Sequence, residues 1–160
     1  MKRKIQLTKL GRNPKNNKGY VNPGIYKGST IIFEDFKSYI KDVNRKTDAS
    51  ALYGINNNPL MDKLEKSIST LYKSKDTVIA PSGLAAIIIP FFAFLKKNDE
   101  VLINDSVYNP TRSYCEKILK NFGVKIKYFH PIKNIENFEK YITKKTKLIY
   151  LESPGTATFE

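Results

Sequence analysis

The sequence predicts an α/β fold with a mostly parallel sheet and helices on both faces. Three observations predict it. From residue 77 onward, short β-branched apolar runs alternate with longer helix-spaced segments, in the order strand, helix, strand, helix, strand, helix, strand. Val78–Ala80, Val101–Ile103 and Leu148–Leu151 are continuous apolar runs, as strands covered on both faces require. Turn residues separate the segments: Pro81-Ser82-Gly83, Gly123 and Ser153-Pro154-Gly155.

Val78-Ile79-Ala80 is the first predicted strand. Pro81-Ser82-Gly83 breaks it, and the apolar segment that follows to Leu95 is long enough for a helix. A strand, a glycine turn and a helix together aim free backbone N–H groups at an anion. Glycine at 83 removes the side chain that would hold a phosphate away. The same turn also serves as a plain connection that binds nothing. Pro90 lies inside the predicted helix, so that helix either bends or splits there. Val101-Leu102-Ile103 is the next strand, and Tyr108 to Thr111 reads as a loop. A helix then runs to about Phe122 and stops at Gly123. Val124 to Phe129 and Leu148 to Leu151 are strands around a short helix over 135–142. Right-handed crossovers place the loops Pro81–Gly83, Asp105–Pro110 and Ser153–Thr156 at one edge of the sheet, where ligands of open sheets bind.

Upstream, residues 1 to about 28 form a polar arm broken by Gly11, Pro14, Gly19, Pro23, Gly24 and Gly28. Such an arm packs on another surface, its own or a second subunit's. Phe36, Tyr39, Ile40 and Val43 have helical spacing. Asn58-Pro59 starts a helix, with Asn as N-cap and Pro in the first turn, and Leu60, Leu64, Ile68 and Leu71 form its stripe to an end near Asp76. The chain divides into an arm with a short helix (1–57) and the first part of an α/β domain (58–160).

Composition excludes several classes. Of 160 residues 41% are apolar, enough for a core and against disorder. No apolar run is long enough to span a membrane, and the basic start has no secretory apolar region. Cys115 is the only cysteine, which fits a reducing, cytoplasmic setting; it reads as a core residue rather than a nucleophile. With one histidine, His130 in a loop, a Cys/His metal site is excluded. The net charge of +13 comes from 28 basic and 15 acidic residues, but the basic residues are almost all lysines spread along the chain. Nucleic-acid readers favour clustered arginine, so nucleic acid is not the expected partner.

The motifs Gly19-Tyr-Val-Asn-Pro23, Gly28-Ser-Thr30, Leu52-Tyr-Gly54, Pro81-Ser-Gly-Leu-Ala85, Tyr108-Asn-Pro110 and Leu151-Glu-Ser-Pro-Gly155 occur in this order. In that order and spacing the sequence resembles the pyridoxal-phosphate enzymes of cysteine and methionine metabolism, most closely their cystathionine β-lyase branch. The resemblance covers nearly the whole chain but only the N-terminal part of such an enzyme. It implies the N-terminal part of the large domain of a fold-type I, aspartate-aminotransferase-like enzyme, with pyridoxal 5'-phosphate as cofactor. It also implies an amino-acid substrate, cystathionine cleaved to homocysteine, pyruvate and ammonia, and a homo-oligomer. By the same resemblance the N–H groups of Gly83 and Leu84 hold the cofactor phosphate. Tyr108 stacks on the pyridine ring and assists proton transfer, and Tyr53 reaches the phosphate of a neighbouring subunit. Taken alone, Tyr53 and Tyr108 read as packing residues. Two departures stand out. Ile55 occupies the position where the family usually has an arginine. The family's Schiff-base lysine has no counterpart in matching context, which implies no meaningful turnover by this chain alone. The alternatives are a non-catalytic phosphate-binding or interaction protein, and one half of a split enzyme whose second polypeptide supplies the lysine.

Overall fold

The computed structural model describes residues 7–44, 52–55, 58–133 and 135–159, the side chain of Ile135 excepted. The chain forms two compact units, Met1–Ile79 and Ala80–Glu160.

In the first unit the arm turns on itself: Asn17 N–H and Gly19 N–H reach back to the Asn13 and Pro14 carbonyls at 3.0 and 2.8 Å. Helix α1, Phe36–Asn44, is capped by Asp35, whose carboxylate accepts the Ser38 N–H at 2.7 Å. Helix α2, Pro59–Tyr72, starts as predicted. The Asn58 side chain accepts from the Leu60 and Met61 N–H groups at 3.0 Å, and Pro59 supplies a fixed φ. Its end comes earlier than the Asp76 region, because Lys73 adopts the left-handed conformation (φ 55°) and donates its N–H to the Ser69 carbonyl. Neither helix buries a residue fully, and Leu64 on the α2 stripe is 50% exposed.

Two of the quoted motifs meet in this unit. Thr30 and Tyr53 form an antiparallel bridge, and Gly54 N–H donates to the Ser29 carbonyl at 2.8 Å. A Cβ on Gly54 would stand 2.3 Å from the Gly28 carbonyl oxygen, so the crossing requires glycine.

The second unit is built on a three-stranded parallel sheet in the order β2-β1-β3, with β1 Glu100–Asn104, β2 Lys125–Phe129 and β3 Thr146–Tyr150. Helix α3, Gly83–Phe94, precedes β1; helix α4, Asn109–Tyr114, and a π-helical turn, Cys115–Leu119, join β1 to β2. A 3-10 helix, Ile135–Tyr141, joins β2 to β3. Every residue of β1 is buried. Phe91 and Leu95 of α3 pack with Cys115 and Leu119 on Val101, Ile103 and Val124. Phe138 and Tyr141 cover the alternate face at Phe129, with ring centroids 4.9 and 6.4 Å away. Helices therefore cover both faces, as predicted.

Three expectations are corrected. Residues 78–80 form no strand, and Val78 is 78% exposed. A strand exists only where a neighbour completes its ladder. The three strands pair with one another, while Ile79 N–H donates to the Glu65 carboxylate at 3.1 Å. Asn109 to Thr111 is the first turn of α4 rather than a loop, because Pro110 loses no hydrogen bond in a first turn. The predicted single helix to Phe122 changes pitch at Cys115, where Lys120 N–H reaches the Cys115 carbonyl at 3.1 Å. The Pro90 question also resolves: α3 is one unbroken helix with the proline inside. Gly123 stops the next segment with φ +77°.

At the start of β1, the buried Glu100 carboxylate takes Lys127 Nζ at 2.9 Å and the hydroxyls of Thr146 and Thr143 at 2.7 and 3.1 Å. Burial pushes the carboxyl up, but Lys127 and the two threonines outweigh it and hold it below the ordinary glutamate range. The stability this gives is full above the unfolded glutamate pKa and is lost as pH falls through the lower folded value. Urea melts of Glu100→Gln should show about 1–3 kcal/mol lost at neutral pH and a flatter dependence below pH 5 than the parent. Cys115 is fully buried, and burial first, then the Glu116 carboxylate, push its thiol up to about 12. It should react with a thiol reagent at pH 8 only after denaturation.

Candidate functional site

The order β2-β1-β3 makes β1 the strand at which the chain reverses direction across the sheet. After β1 the chain crosses to β2 on one side; after β2 it returns past β1 to β3 on the other. The crevice outside the carboxyl ends of β1 and β3 is the site that such a reversal opens. Residues 105–108 and 151–156 line it.

A short polar clasp closes its floor. Asn104, buried at the last position of β1, accepts the Glu152 N–H at 2.9 Å. Its amide N–H group donates to the Glu152 carbonyl at 3.1 Å and to Ser106 Oγ at 2.9 Å. The amide thus imitates one rung of a ladder just where backbone pairing ends. Glu152 uses both carboxylate oxygens. Oε1 accepts the Tyr108 N–H at 3.1 Å and the Thr156 hydroxyl at 3.0 Å; Oε2 accepts the Tyr150 hydroxyl at 3.2 Å. Burial, and then the adjacent Glu152 charge, push the Tyr150 phenol up to about 12, so it stays a donor. Thr156 N–H donates to the Ser106 carbonyl at 2.7 Å. Gly155 lies against Ser106 so closely that a Cβ would stand 2.4 Å from its Oγ.

Tyr108 is the N-cap of α4, with φ −49° and ψ 128°. Glu152 holds its N–H and Arg112 N–H takes its carbonyl at 3.1 Å, yet the residue is 44% exposed. The backbone is fixed while an aromatic remains available at the crevice. Arg112 is engaged in bracing the loop: Nη2 donates to the Asp105 carbonyl and carboxylate, both at 2.5 Å, and the guanidinium lies 4.2 Å from the Tyr128 ring centroid.

Gly83 and Leu84 open α3. The Ser82 side chain accepts the Ala85 N–H at 3.1 Å and its carbonyl accepts the Ala86 N–H at 3.0 Å. The N–H groups of Gly83 and Leu84 precede any intrahelical acceptor and have none among the described residues. Gly83 is exposed, and a Cβ there would meet open space. The cradle therefore has two unused donors, no side chain above the first and the positive end of a helix, which suits a phosphate. No hydrogen bond or ring contact joins this helix head to Tyr108 among the described residues. Two of the three predicted loops, 105–110 and 153–156, are joined by direct bonds. Tyr53 lies in the first unit, on its bridge to Thr30, 44% exposed. His130 serves its own loop, where Nδ1 accepts the Ile132 N–H at 3.3 Å. Among the described residues no group of His, Cys, Asp and Glu could hold a metal ion.

Sequence reasoning missed Asn104, Ser106, Glu152 and Arg112 as site-forming residues. Glu152 stood inside a quoted motif, and Asn104 at a strand end, but nothing in the spacing says that residues 48 apart exchange two hydrogen bonds.

Residues 4–160 match the family described as Cys/Met metabolism PLP-dependent enzyme. A putative cystathionine beta-lyase of Rhizobium johnstonii is 37% identical over 155 residues, 97% of this chain and 38% of the relative. A putative cystathionine beta-lyase of Saccharomyces cerevisiae is 39% identical over 155 residues, 97% of this chain and 44% of the relative. The chain thus spans about two-fifths of the length of these curated relatives. The crystal structure of metB from Corynebacterium glutamicum superposes with a TM-score of 0.83 at 22% identity, over 100% of this chain and 39% of that one, and shows the same fold.

Glu152→Ala should cost about 1–3 kcal/mol, since it leaves the Tyr108 N–H and the Tyr150 hydroxyl without their acceptor. Hydrogen exchange at the Tyr108 amide should accelerate in the same variant. Glu152→Gln, which keeps one side-chain acceptor oxygen, should recover part of both effects.

Proposed function

The chain belongs to the Cys/Met metabolism PLP-dependent enzymes, and from that premise we propose that it forms the phosphate-holding and ring-stacking part of a carbon–sulfur lyase acting on cystathionine. The observation that carries this reading is the head of α3, where Gly83 and Leu84 present unused N–H groups at an exposed glycine. In this reading those two groups donate to the phosphate of pyridoxal 5'-phosphate. Tyr108 offers its ring face to the pyridine, and its backbone is anchored by Glu152 so that the ring keeps one orientation. The Tyr108 phenol oxygen relays a proton as the substrate amine is exchanged in. When bound, the cofactor supplies an electron sink for the charge left after the α-proton is removed. The overall reaction takes cystathionine and water to homocysteine, pyruvate and ammonia, a step of methionine biosynthesis.

Tyr53 completes the phosphate site of a second subunit, so the working form is at least a dimer. Its neighbour Ile55 has no donor to offer where the family usually has arginine, so one clamp on the phosphate is missing. No lysine of this chain lies in the context of the covalent cofactor anchor. In this reading residues 1–160 do not by themselves turn over cystathionine; the split enzyme, with a separate C-terminal polypeptide supplying the lysine, is an alternative form of it. Ile55, 70% exposed, also favours a second reading, a non-catalytic protein that keeps the phosphate cradle for binding only. No helix of the described residues is long and apolar enough to cross a membrane, and a cytoplasmic setting accords with the single buried thiol.

Titration of the pure chain with pyridoxal phosphate, followed by tyrosine fluorescence, should show weak, reversible binding without the long-wavelength band of a lysine-bound cofactor. Tyr108→Ala should weaken that binding about two- to tenfold, the equivalent of the ~0.5–1.5 kcal/mol an aromatic stack contributes. Absence of binding would refute the cofactor reading, and pyruvate release from the pure chain would refute the inactivity.

A further inference from the structure

At the amino ends of the strands, opposite the crevice, a groove of about 340 Å³ opens between the end of α3 and the π-helical turn. Phe91, Leu95, Leu119 and Val124, all buried, form its floor. Phe92 and Phe122 stand on its rim, their rings edge to face with centroids 5.8 Å apart, 55% and 58% exposed. The rest of the lining is Lys96 and Lys97. An apolar hollow of this size with a few placed polar groups is the usual form of a small-molecule site.

The loop that carries the two lysines is held at each step. Lys96 N–H donates to Asp99 Oδ2 at 2.8 Å, and Asp99 N–H returns to the Lys96 carbonyl at 3.0 Å. Asn98, in the left-handed region with φ 74°, donates its N–H to the Gly123 carbonyl at 2.9 Å. The Lys97 stem crosses Gly123 so closely that a Cβ there would stand 2.9 Å from Lys97 Cγ. The lysine loop is thus tied to the segment that carries Phe122 and Val124. Neither ammonium group has an acceptor among the described residues, and the Asp99 carboxylate is turned to the Lys96 backbone instead.

We propose that this groove binds an aliphatic carboxylate, its hydrocarbon chain on the apolar floor and its head between Lys96 and Lys97. Charge complementarity selects the head: two positive groups without partners stand at the mouth of an otherwise apolar hollow. The lining selects the chain. Apart from the two ammonium groups no polar side chain lines the groove, so a sugar or a nucleotide would bury its polar groups without partners. The lining has no arginine, the planar fork that suits phosphate, and the two lysines serve a single anionic head as point charges. A second copy of this chain is disfavoured, because the same lysine pair would approach from both sides. The proposal stands apart from the cofactor reading, since no residue of the groove belongs to the crevice or to the head of α3.

The test is titration of the 160-residue chain with dodecanoate, below its micelle concentration and without pyridoxal phosphate, followed by amide chemical shifts. Saturable shifts are expected at residues 95–97 and 122–124. Butyrate, which leaves most of the floor uncovered, should bind about a hundredfold or more weaker. Dodecanol, the same chain without the charge, should bind about three- to tenfold weaker, and so should dodecanoate to the variant Lys96→Gln/Lys97→Gln. Lys133→Gln/Lys140→Gln removes the same charge from exposed positions on the connection between β2 and β3, and should bind dodecanoate within about twofold of the parent. All four substituted positions are exposed, so the circular dichroism of each variant should match the parent. The proposal fails if dodecanoate does not bind or if its shifts fall elsewhere. It fails equally if butyrate or dodecanol binds as tightly, if the Lys96/Lys97 variant binds like the parent, or if the Lys133/Lys140 variant loses as much, which would leave only the general field of a basic chain.

Discussion

The site at the strand ends depends on the exchange of hydrogen bonds between Asn104 and Glu152. Backbone pairing of β1 with β3 stops at Ile103 and Tyr150. Beyond that point the two chains would separate, and each would carry unpaired polar groups into a half-buried crevice. The Asn104 amide accepts one Glu152 backbone group and donates to the other, which extends the pairing by one side-chain rung. That rung fixes where the Glu152 carboxylate lies. The carboxylate in turn fixes the N–H of Tyr108, and thereby the first turn of α4.

The opposite end of β1 uses charge for the same purpose. Glu100 is buried with Lys127 from one neighbouring strand and Thr146 from the other. A lone carboxylate there would be costly, but three partners satisfy it, so the ion pair registers both neighbours against the central strand. Between these polar ends, Val101, Leu102 and Ile103 are fully shielded. The central strand is apolar in its middle and polar at both ends, and each polar end bonds across to another strand.

Much of this was legible before any coordinates. The strand cores at 101–103 and 148–151 carry continuous apolar runs that suit a covered sheet, and 124–129 is a β-rich run between Gly123 and His130. The Asn58-Pro59 cap and the Gly123 stop are local chemistry, decided within a few residues, and both formed as read. The segment 78–80 failed for the complementary reason. Its composition suits a strand, but a strand is a relation between two segments, and 78–80 pairs with none of β1 to β3. The π-helical turn at Cys115 was illegible too, because i to i−5 bonding has no residue signature of its own.

By itself, the sequence determined the class of the fold and the caps and stops of its helices. Those properties follow from periodicity and from bonds spanning at most a few positions. Tertiary structure alone decided that β1 is the central strand, that Glu152 rather than a nearer residue holds Tyr108, and that Gly54 and Gly155 admit no side chain. Each of these depends on groups distant in the chain approaching within a hydrogen bond or a van der Waals radius, and such distances exist only once the sheet order is set.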